Sequence, residues 1–341
     1  MKLGVMISGE RMSIHDTVAL AQRAEAAGFD SVWVPDYYQS WDVPMALIAA
    51  ETSRVELGVG VTMGFSRSPF VNARIAADLD ELCGGRLILG VGSATLHPGR
   101  EDSWIPGRKR PGVAGFRHMV EALRHAWRTW YDEPGAPLEY ESEDCVLRVP
   151  GLASTNRPMR REIPLYLGVR QPKLLQLTGE IADGFVTFPT SCVRYNREEV
   201  LPQIEIGAKR VGRDPRELEF TGIYICVVDE DREKARRLAR RQISFFVVDG
   251  ASYALFEREG FGPEVEQITA AWKADDVEAM VEAVTDEMLD TFVLSGDIEE
   301  VRARVAELGE LVDHVIVHAV SFGLDSEQIL SEHGALIEAF S

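Results

Sequence analysis

The amino-acid sequence predicts an α/β fold, a (β/α)8 TIM barrel with a helical insertion before the last βα unit. Short apolar runs that suit buried parallel strands alternate with amphipathic helical segments, and eight such runs occur along the chain. No repeat or low-complexity tract interrupts them. The 341 residues are therefore predicted to form a single domain, residues 1–341. An open, doubly wound parallel sheet is the alternative that the same pattern allows.

The first half of the chain contains four predicted strands, which cover residues 3–8, 30–35, 55–61 and 86–92. Ser13 and Asp16 have the spacing of a helix N-terminal cap after the first strand, and Gly28 ends that helix. The fourth strand directly follows a helix that stops at two glycines, residues 84 and 85, and it ends in a small-residue bend. Helix, glycine stop and buried strand together form one unit of the expected barrel.

The helix before the fourth strand begins with Ser68 as its cap and Pro69 in its first turn. Its large apolar residues recur at helical spacing, which predicts that they face the barrel. These residues are Val71, Ile75, Leu79 and Leu82.

The second half contains four more predicted strands, which cover residues 163–168, 184–188, 220–228 and 314–320. A helix is expected over residues 115–130, and residues 134–162, rich in Pro and Gly, predict irregular structure or a small hairpin. A strongly charged helix covers residues 230–241. Residues 249–285 fit no strand and predict the helical insertion, after which Asp297 caps a helix that ends near Gly309.

Composition excludes several classes of protein. The chain has 36 basic and 55 acidic residues, a net charge of −19, which argues against general affinity for nucleic acid or an anionic membrane. Four cysteines lack Cys-x-x-Cys or zinc spacing, which favours buried, reduced thiols. No signal-peptide pattern and no apolar run of about 18 residues is present. We therefore expect a cytoplasmic protein that acts on a small-molecule substrate.

Small or polar residues close most of the apolar strands. In a parallel barrel the carboxyl ends of the strands form the active-site face, so these residues are expected to surround one pocket that suits a planar ring. They are Ser8, Asp36, Tyr37, Gly60, Val61, Thr62, Ser93, Ala94, Thr95, residues 169–171 and Thr187. The loops after strands four and seven, together with residues 249–285, are expected to form the substrate side of the pocket.

Several motifs at these strand ends occur in a fixed order: SVWVPD (31–36), LGVGVT (57–62), RSP (67–69), LDELCGGR (79–86), IPLYLG (163–168), ADG (182–184) and TFVLSGD (291–297). In order and spacing they resemble the bacterial luciferase-like superfamily. The resemblance is greatest to its deazaflavin-dependent branch, of the methylene-tetrahydromethanopterin reductase type. It covers nearly the whole chain and is weakest over residues 134–160 and 249–285.

The resemblance implies a barrel enzyme that passes a hydride to or from C5 of coenzyme F-420, a deazaflavin, and that reacts with a small carbonyl, imine or activated alkene. It also implies a non-prolyl cis peptide bond at Gly60–Val61 and a homodimer. Two alternatives stay open: an FMN-dependent luciferase-like monooxygenase that uses reduced flavin and oxygen, and a non-enzymatic protein that binds or stores the cofactor.

The resemblance also implies the cofactor-binding residues. Asp36 matches an acidic residue that hydrogen-bonds the polar edge of the deazaflavin ring, although a cap for the segment before the next helix would also explain it. The ring and its ribityl chain are expected to contact a set of residues on strands three, four and six: Gly60, Val61, Thr62, Gly92, Ser93, Ala94 and Thr187.

Three positions depart from better-known relatives. Tyr37 replaces a histidine acid–base group, and its phenol, with a reference pKa of about 10, is able to donate a proton but is no ready base. An aromatic wall is the alternative role for Tyr37. Thr95 replaces a catalytic glutamate, and Met6 replaces another glutamate. We take Tyr37 and Thr95 as the candidate catalytic residues and Ser8 as a candidate substrate-binding residue.

The cofactor phosphate is expected at the amino end of the helix after the fifth strand, where free N–H groups and the helix dipole favour an anion. Arg170, Gln171 and Lys173 open this helix. The basic run at residues 108–110 is interpreted as a solvated loop, with a grip on a polyglutamate tail as the alternative. His314 and His318 lie on one face of the last strand without a third ligand nearby in sequence, so no metal site is predicted.

Overall fold

The computed structural model describes residues 1–93, 112–153, 155–248 and 252–341. Within these ranges the strands are, in chain order, β1 (Lys2–Met6), β2 (Ser31–Val34), β3 (Glu56–Met63), β4 (Leu87–Gly92), β5 (Leu138–Glu141), β6 (Val146–Val149), β7 (Leu165–Gly168), β8 (Gly184–Val186), β9 (Glu219–Val228), β10 (Val293–Gly296) and β11 (His314–His318).

The barrel consists of eight parallel strands in the order β1-β2-β3-β4-β7-β8-β9-β11. The circle is closed because β8 pairs with β9 and β11 pairs with β1. This closure confirms the predicted TIM barrel and excludes the open doubly wound sheet. Strands β5 and β6 form an antiparallel hairpin outside the barrel, in the segment where the sequence suggested one.

The helices of the described residues are α1 (Ile14–Ala27), α2 (Asp42–Glu51), α3 (Pro69–Leu82), α4 (Val113–Asp132), α5 (Pro172–Ile181), α6 (Val193–Tyr195), α7 (Leu201–Arg210), α8 (Arg232–Val248), α9 (Tyr253–Arg258), α10 (Gly262–Lys273), α11 (Val277–Glu282), α12 (Asp286–Phe292), α13 (Ile298–Leu308) and α14 (Ser326–Ala339). A π-helical turn, Asn196–Val200, joins α6 to α7. None of these helices has the length and hydrophobicity that crossing a bilayer would require.

The helix ends follow the capping residues that the sequence indicated. Ser13 accepts the Asp16 N–H at 3.1 Å, and the Asp16 carboxylate accepts the Ser13 N–H at 2.9 Å, which forms a complete capping box. Gly28 ends α1 with φ of 97°, a left-handed conformation that favours glycine. Asp297 caps α13 by accepting the Glu300 N–H at 2.9 Å.

The predicted insertion is helical, but its end differs from the prediction. Helices α9 to α12 continue to Phe292 rather than stopping near residue 285. They lead into β10, a short strand that was not predicted and that pairs with the end of β9 outside the barrel circle. Four residues directly after a helix are too few to show a strand periodicity, so the pairing with β9 decides their conformation.

The face of α3 that packs on the barrel is not the one predicted from its large apolar residues. Val71 and Leu82 are 40% and 49% exposed, and only Leu79 of the four predicted residues is buried. The buried face instead consists mainly of small or polar residues: Asn72, Ala73, Ala76, Ala77 and Asp80. Alanine allows the helix to approach closely, and each buried polar side chain makes a hydrogen bond: Arg160 Nε donates to Asp80 at 2.9 Å, and Asn72 Nδ2 donates to the Gly64 carbonyl at 3.0 Å.

Large side chains fill the barrel interior below its carboxyl end. The buried cluster consists of Met6, Trp33, Ile88, Tyr166, Val186, Ile223 and Ile316. The indole of Trp33 lies where a Cβ at position 58 would be, so Gly58 on β3 makes room for it. The interior is filled at this level by these side chains.

A network of polar side chains closes the opposite, amino end of the barrel. Lys2 Nζ lies 2.8 Å from Glu56 and 3.2 Å from Glu219. The hydrogen bonds then run in one direction: Trp33 Nε1 donates to Ser31 Oγ at 2.8 Å, and Ser31 Oγ lies 2.7 Å from His314 Nε2. We assign Ser31 as donor there because His314 Nδ1 then donates to Glu219 at 3.0 Å.

His314 has carboxylate neighbours that its sequence context did not reveal. Glu56, Glu219 and His314 place potential ligand atoms within 4.8 Å of one another. These residues come from β3, β9 and β11, which are far apart in sequence and adjacent only in the closed barrel. The ammonium of Lys2 forms salt bridges with both carboxylates, so we interpret the group as a structural ion network.

The network predicts a loss of stability in acid. Burial alone would raise the pKa of Glu219, but the hydrogen bond from His314 and the charge of Lys2 lower it to about 2. A carboxylate whose pKa is lower in the folded state than in the unfolded state stabilises the fold at neutral pH. This contribution to stability is lost as the pH falls from about 4.5 towards 2. We expect Glu219→Gln to remove about 2 kcal/mol of this pH-dependent stability, allowing for partial exposure.

Urea unfolding of both proteins between pH 2 and pH 7 measures the effect. The wild-type free energy of unfolding should fall more steeply with acid than that of the variant. Glu217→Gln, two residues earlier on an exposed side chain that pairs only with Arg213 at 3.4 Å, is the control. Equal acid dependence in wild type and Glu219→Gln would contradict the assignment.

Candidate active site

A cavity opens at the carboxyl ends of the barrel strands. Its volume is about 1280 Å³, including the part that opens to solvent. Of the predicted site residues, ten lie in its wall: Ser8, Asp36, Tyr37, Gly60, Val61, Thr62, Gly92, Ser93, Arg170 and Thr187. The barrel therefore brings together residues from six strand ends, as expected for an active site of this fold.

Four predicted site residues are not in the described wall. Ala94 and Thr95 lie outside the described residues, as does the basic run at 108–110. Gln171 and Lys173 are exposed at the start of α5 and do not line the cavity. The role of Gln171 and Lys173 in binding the cofactor phosphate stays a prediction.

The side chain of Val61 is surrounded by glycines on the neighbouring strands. A Cβ built at position 92 would lie 2.5 Å from Val61 Cγ2, and one at position 168 would lie 2.7 Å from Val61 Cγ1. At Gly90 the added atom would overlap the Val59 carbonyl and lie 3.1 Å from Val61 Cγ1. Glycine at positions 90, 92 and 168 therefore leaves the space in which the Val61 side chain forms this part of the cavity wall.

The backbone of β3 changes course at the same point. The Gly60–Val61 peptide bond is cis, as the family resemblance implied. The pairing of β3 with β4 shifts in register between Val59 and Thr62. The cavity wall at this position is consequently formed by backbone and one small side chain.

Asp36 holds the end of β3. Its Oδ2 accepts hydrogen bonds from the hydroxyl of Thr62 at 3.1 Å and from the N–H of Met63 at 3.0 Å. It does not cap α2, whose N-cap residue is Trp41. The carboxylate thus fixes the segment after the cis bond, while a further bond from Oδ1 to a ligand ring stays a prediction.

Tyr37 lies at the rim of the cavity beside Tyr38. The two rings meet edge to face with centroids 4.8 Å apart, and each residue is 43% exposed. Both tyrosines line the cavity. The phenol of Tyr37 is therefore positioned where it can meet a ligand, either as a proton donor or as an aromatic wall.

Arg170 extends from the end of β7 towards the loop after β8. Its guanidinium lies 3.8 Å from the centroid of the Phe188 ring, and Nη2 is 3.5 Å from the hydroxyl of Thr190. The Thr190 hydroxyl in turn lies 2.6 Å from that of Ser252, at the start of the helical insertion. The cationic side chain is held on this side of the cavity.

Sequence reasoning missed much of the substrate side. Gln242, Phe245 and Phe246 of α8 line the cavity with His318 and Ser321 from the end of β11. The expected insertion contributes Ser252, but α8 contributes more. The available signal was the change in α8 from a charged first half to an apolar end over residues 243–248, which indicates a buried helix end.

His318 is a neutral imidazole at physiological pH. Burial lowers its pKa, the nearby His333 lowers it further, and the pKa lies at about 3. From sequence alone His318 was considered only as a metal ligand, whereas the structure places it in the cavity wall.

The sequence of the whole chain also matches known proteins. The model of the family described as luciferase-like monooxygenase matches residues 1–314. The chain belongs to this family. That assignment confirms the superfamily that the strand-end motifs indicated, and it agrees with the barrel and the position of the cavity.

Individual relatives are similar over nearly their full length. The chain is 29% identical to the 5,10-methylenetetrahydromethanopterin reductase of Methanolobus tindarius, over 91% of each sequence. It is 30% identical to the enzyme of the same name from Methanopyrus kandleri, over 91% of this chain and 90% of that one. The solved structure of the coenzyme F-420-dependent tetrahydromethanopterin reductase from M. kandleri superimposes with a TM-score of 0.81 and 27% identity, covering 98% of this chain and 97% of that one.

The glycines around Val61 predict a specific pattern of stability. Gly168→Ala would place a methyl 2.7 Å from Val61 Cγ1 and 3.4 Å from Val186 Cγ1, so we expect a loss of about 1–3 kcal/mol. Adding Val61→Ala removes the main obstruction, so the double variant should lose less than the sum of the two single losses.

Thermal and urea unfolding of the four proteins gives the coupling free energy. Gly262→Ala is the matched control, because Gly262 has no atom within 4 Å of an added Cβ. Additive losses in the double variant would show that Val61 and Gly168 do not compete for this space.

Proposed function

We propose that the protein is a coenzyme F-420-dependent oxidoreductase that moves a hydride between the deazaflavin and a small organic carbonyl, imine or activated alkene. The observation that carries the proposal is the cavity wall around Val61, where backbone and small residues from β3, β4 and β7 leave a surface that a flat ring can approach closely. The full-length relatives support the same chemistry, because they are named 5,10-methylenetetrahydromethanopterin reductases and the solved one is named as dependent on coenzyme F-420.

The residues of the cavity fit such a cofactor. The cavity opens to solvent and is lined mainly by apolar and small residues with a few polar groups, which is the kind of site that binds a flat ring. Gly60, Val61 and Thr62 would lie against one face of the ring, and Gly92 and Ser93 along its ribityl chain. Thr187, whose hydroxyl accepts the Ile223 N–H at 2.8 Å, would support this wall by holding β9 against β8.

The phosphate of the cofactor would lie near the start of α5. This helix begins at Pro172, which has no N–H, and its N-cap residue Gln171 makes no side-chain cap. The N–H of Leu174 donates to the Gln171 carbonyl at 2.9 Å, so the helix would offer an anion the N–H of Lys173 and the positive end of its dipole. Arg170, Gln171 and Lys173 would add polar and cationic groups there. The chain as a whole carries a charge of −19, so an anionic ligand needs such a local basic group.

When bound, F-420 supplies a carbon that exchanges a hydride with the substrate. The residues of the chain would bind the cofactor, orient the substrate and protonate it. Asp36 would hold the Thr62–Met63 segment at the ring and offer its free oxygen to the ring edge. Tyr37 would donate a proton to the substrate oxygen or nitrogen, and Thr95 and Ser8 would orient the substrate.

The FMN-dependent monooxygenase is the second candidate, and the description of the family favours it. The full-length relatives favour the deazaflavin. The two candidates differ in which cofactor binds.

Titration of the protein with F-420 and with FMN separates the candidates. We expect F-420 to quench the intrinsic fluorescence of the six tryptophans with a micromolar Kd and FMN to bind more weakly. Lys173→Ala should weaken F-420 binding several-fold and leave binding of the deazaflavin riboside, which lacks the phosphate, unchanged. Lys209→Ala, an exposed lysine on α7, is the control. Tighter binding of FMN would overturn the proposal.

Replacement of Tyr37 tests the proton donor. Tyr37→Phe keeps the ring and removes the hydroxyl, so we expect kcat to fall about 10²-fold or more while the Kd for F-420 is unchanged. Tyr38→Phe is a close control, since the neighbouring ring is equally exposed. If Tyr37→Phe retains wild-type turnover of a ketone by reduced F-420, Tyr37 is an aromatic wall.

A further inference from the structure

The cavity wall on the α8 side differs in chemistry from the wall around Val61. His318, the last residue of β11, lies across the eight-stranded ring from the end of β4, and it pairs in register with Met6 of β1. Phe245 and Phe246 of α8 line the cavity beside it, and the Phe245 ring stacks on that of Phe322 at 4.6 Å. This side therefore combines one polar ring with an aromatic surface.

The imidazole of His318 presents a single N–H to the cavity. The residue is 7% exposed, and its Nδ1 is buried without a hydrogen-bond partner among the described residues. Nε2 is consequently the nitrogen at the cavity surface. A proton on Nδ1 would be a buried, unpaired donor, so the neutral ring places it on Nε2, where a ligand can accept it. The pKa of about 3 keeps the ring neutral at physiological pH.

A second donor on this wall is fixed by the backbone. The Oε1 atom of Gln242 accepts the N–H of Ser321 at 2.8 Å and that of Phe322 at 3.0 Å. These two bonds determine which end of the amide is oxygen, so the NH2 group points away from the loop. Gln242 is 2% exposed and lines the cavity. Its side-chain nitrogen has no hydrogen-bond partner among the described residues, and the nitrogen is not fully buried.

The charged groups of the described wall lie elsewhere. Asp36 is at the end of β2 and Arg170 follows β7, whereas His318 and Gln242 lie on β11 and α8. Two neutral donors beside aromatic rings suit an uncharged acceptor such as a carbonyl oxygen. They would leave the negative charge of a carboxylate or phosphate without a counter-ion.

We propose that His318 Nε2–H and the Gln242 amide form a neutral donor pair that binds the carbonyl oxygen of an uncharged substrate, whose apolar part lies on Phe245 and Phe246. The proposal deepens the proposed function, on which its role in turnover rests, by naming the substrate class. Ligand binding at this wall does not itself require hydride transfer, so the donor pair and the proposed function can be tested separately.

The test measures binding of acetophenone, with benzoate as its charged counterpart, by saturation-transfer NMR with and without F-420. Wild type should bind acetophenone at least tenfold more tightly than benzoate. His318→Phe should weaken acetophenone binding about tenfold, and His318→Gln, which keeps an N–H near the position of Nε2, should restore part of it. Unchanged acetophenone binding in His318→Phe, or tighter binding of benzoate to wild type, would overturn the proposal.

Gln242→Glu gives an independent test in case His318→Phe fails to fold. The glutamate keeps an oxygen for the Ser321 and Phe322 N–H groups and replaces the NH2 donor by an acceptor, so acetophenone binding should fall while benzyl alcohol binding rises. Gln267→Glu, exposed on α10, controls for the added charge. Equal acetophenone binding in Gln242→Glu and wild type would contradict the donor role.

The F-420 titration distinguishes failure of the proposed function from failure of the proposed donor pair. If wild type binds no F-420 but acetophenone binding still depends on His318, the proposed function is wrong and the donor pair stands. If F-420 binds and supports turnover of a ketone while the His318 and Gln242 variants bind acetophenone like wild type, the proposed function stands and the donor pair is wrong.

Discussion

Space for the side chain of Val61 is the constraint on which the candidate site depends. Val61 fits against β4 and β7 only because Gly92 and Gly168 have no Cβ, since added atoms would lie 2.5 Å and 2.7 Å from its methyl groups. Gly58 makes the corresponding space for the indole of Trp33 one layer lower. Interior packing and cavity shape therefore follow from the same arrangement, in which a glycine on one strand leaves space for a side chain from another strand.

Charge is distributed unequally along the barrel axis. At the amino end, Lys2, Glu56, Glu219 and His314 form a connected network in which each ionic group has a partner. At the carboxyl end, donors such as Gln242 are held by the fold with a hydrogen-bonding group still directed at the cavity. A satisfied network stabilises the fold, whereas donors left for a ligand are typical of a binding site.

Much of this arrangement could be predicted from sequence, and the failures have physical causes. Strand ends such as Asp36 and Thr62 were identifiable because parallel strands in a barrel end on one face. The packed face of α3 was predicted wrongly, since alanines at Ala73 and Ala76 approach the barrel more closely than the larger Val71. His318 was considered only as a metal ligand, because local spacing does not show what lies across the barrel.

The sequence by itself determined the order of the eight barrel strands, the helix caps at Ser13 and Asp297, the family, and the strand ends that face the cavity. These depend on local pattern, on turn chemistry and on motifs a few residues long. Only the tertiary structure decided that β10 pairs beside β9, that Glu56 and Glu219 meet His314, and that α8 brings Gln242 to the same cavity as His318. Those contacts join residues that are distant in the chain, and only closure of the barrel makes them neighbours.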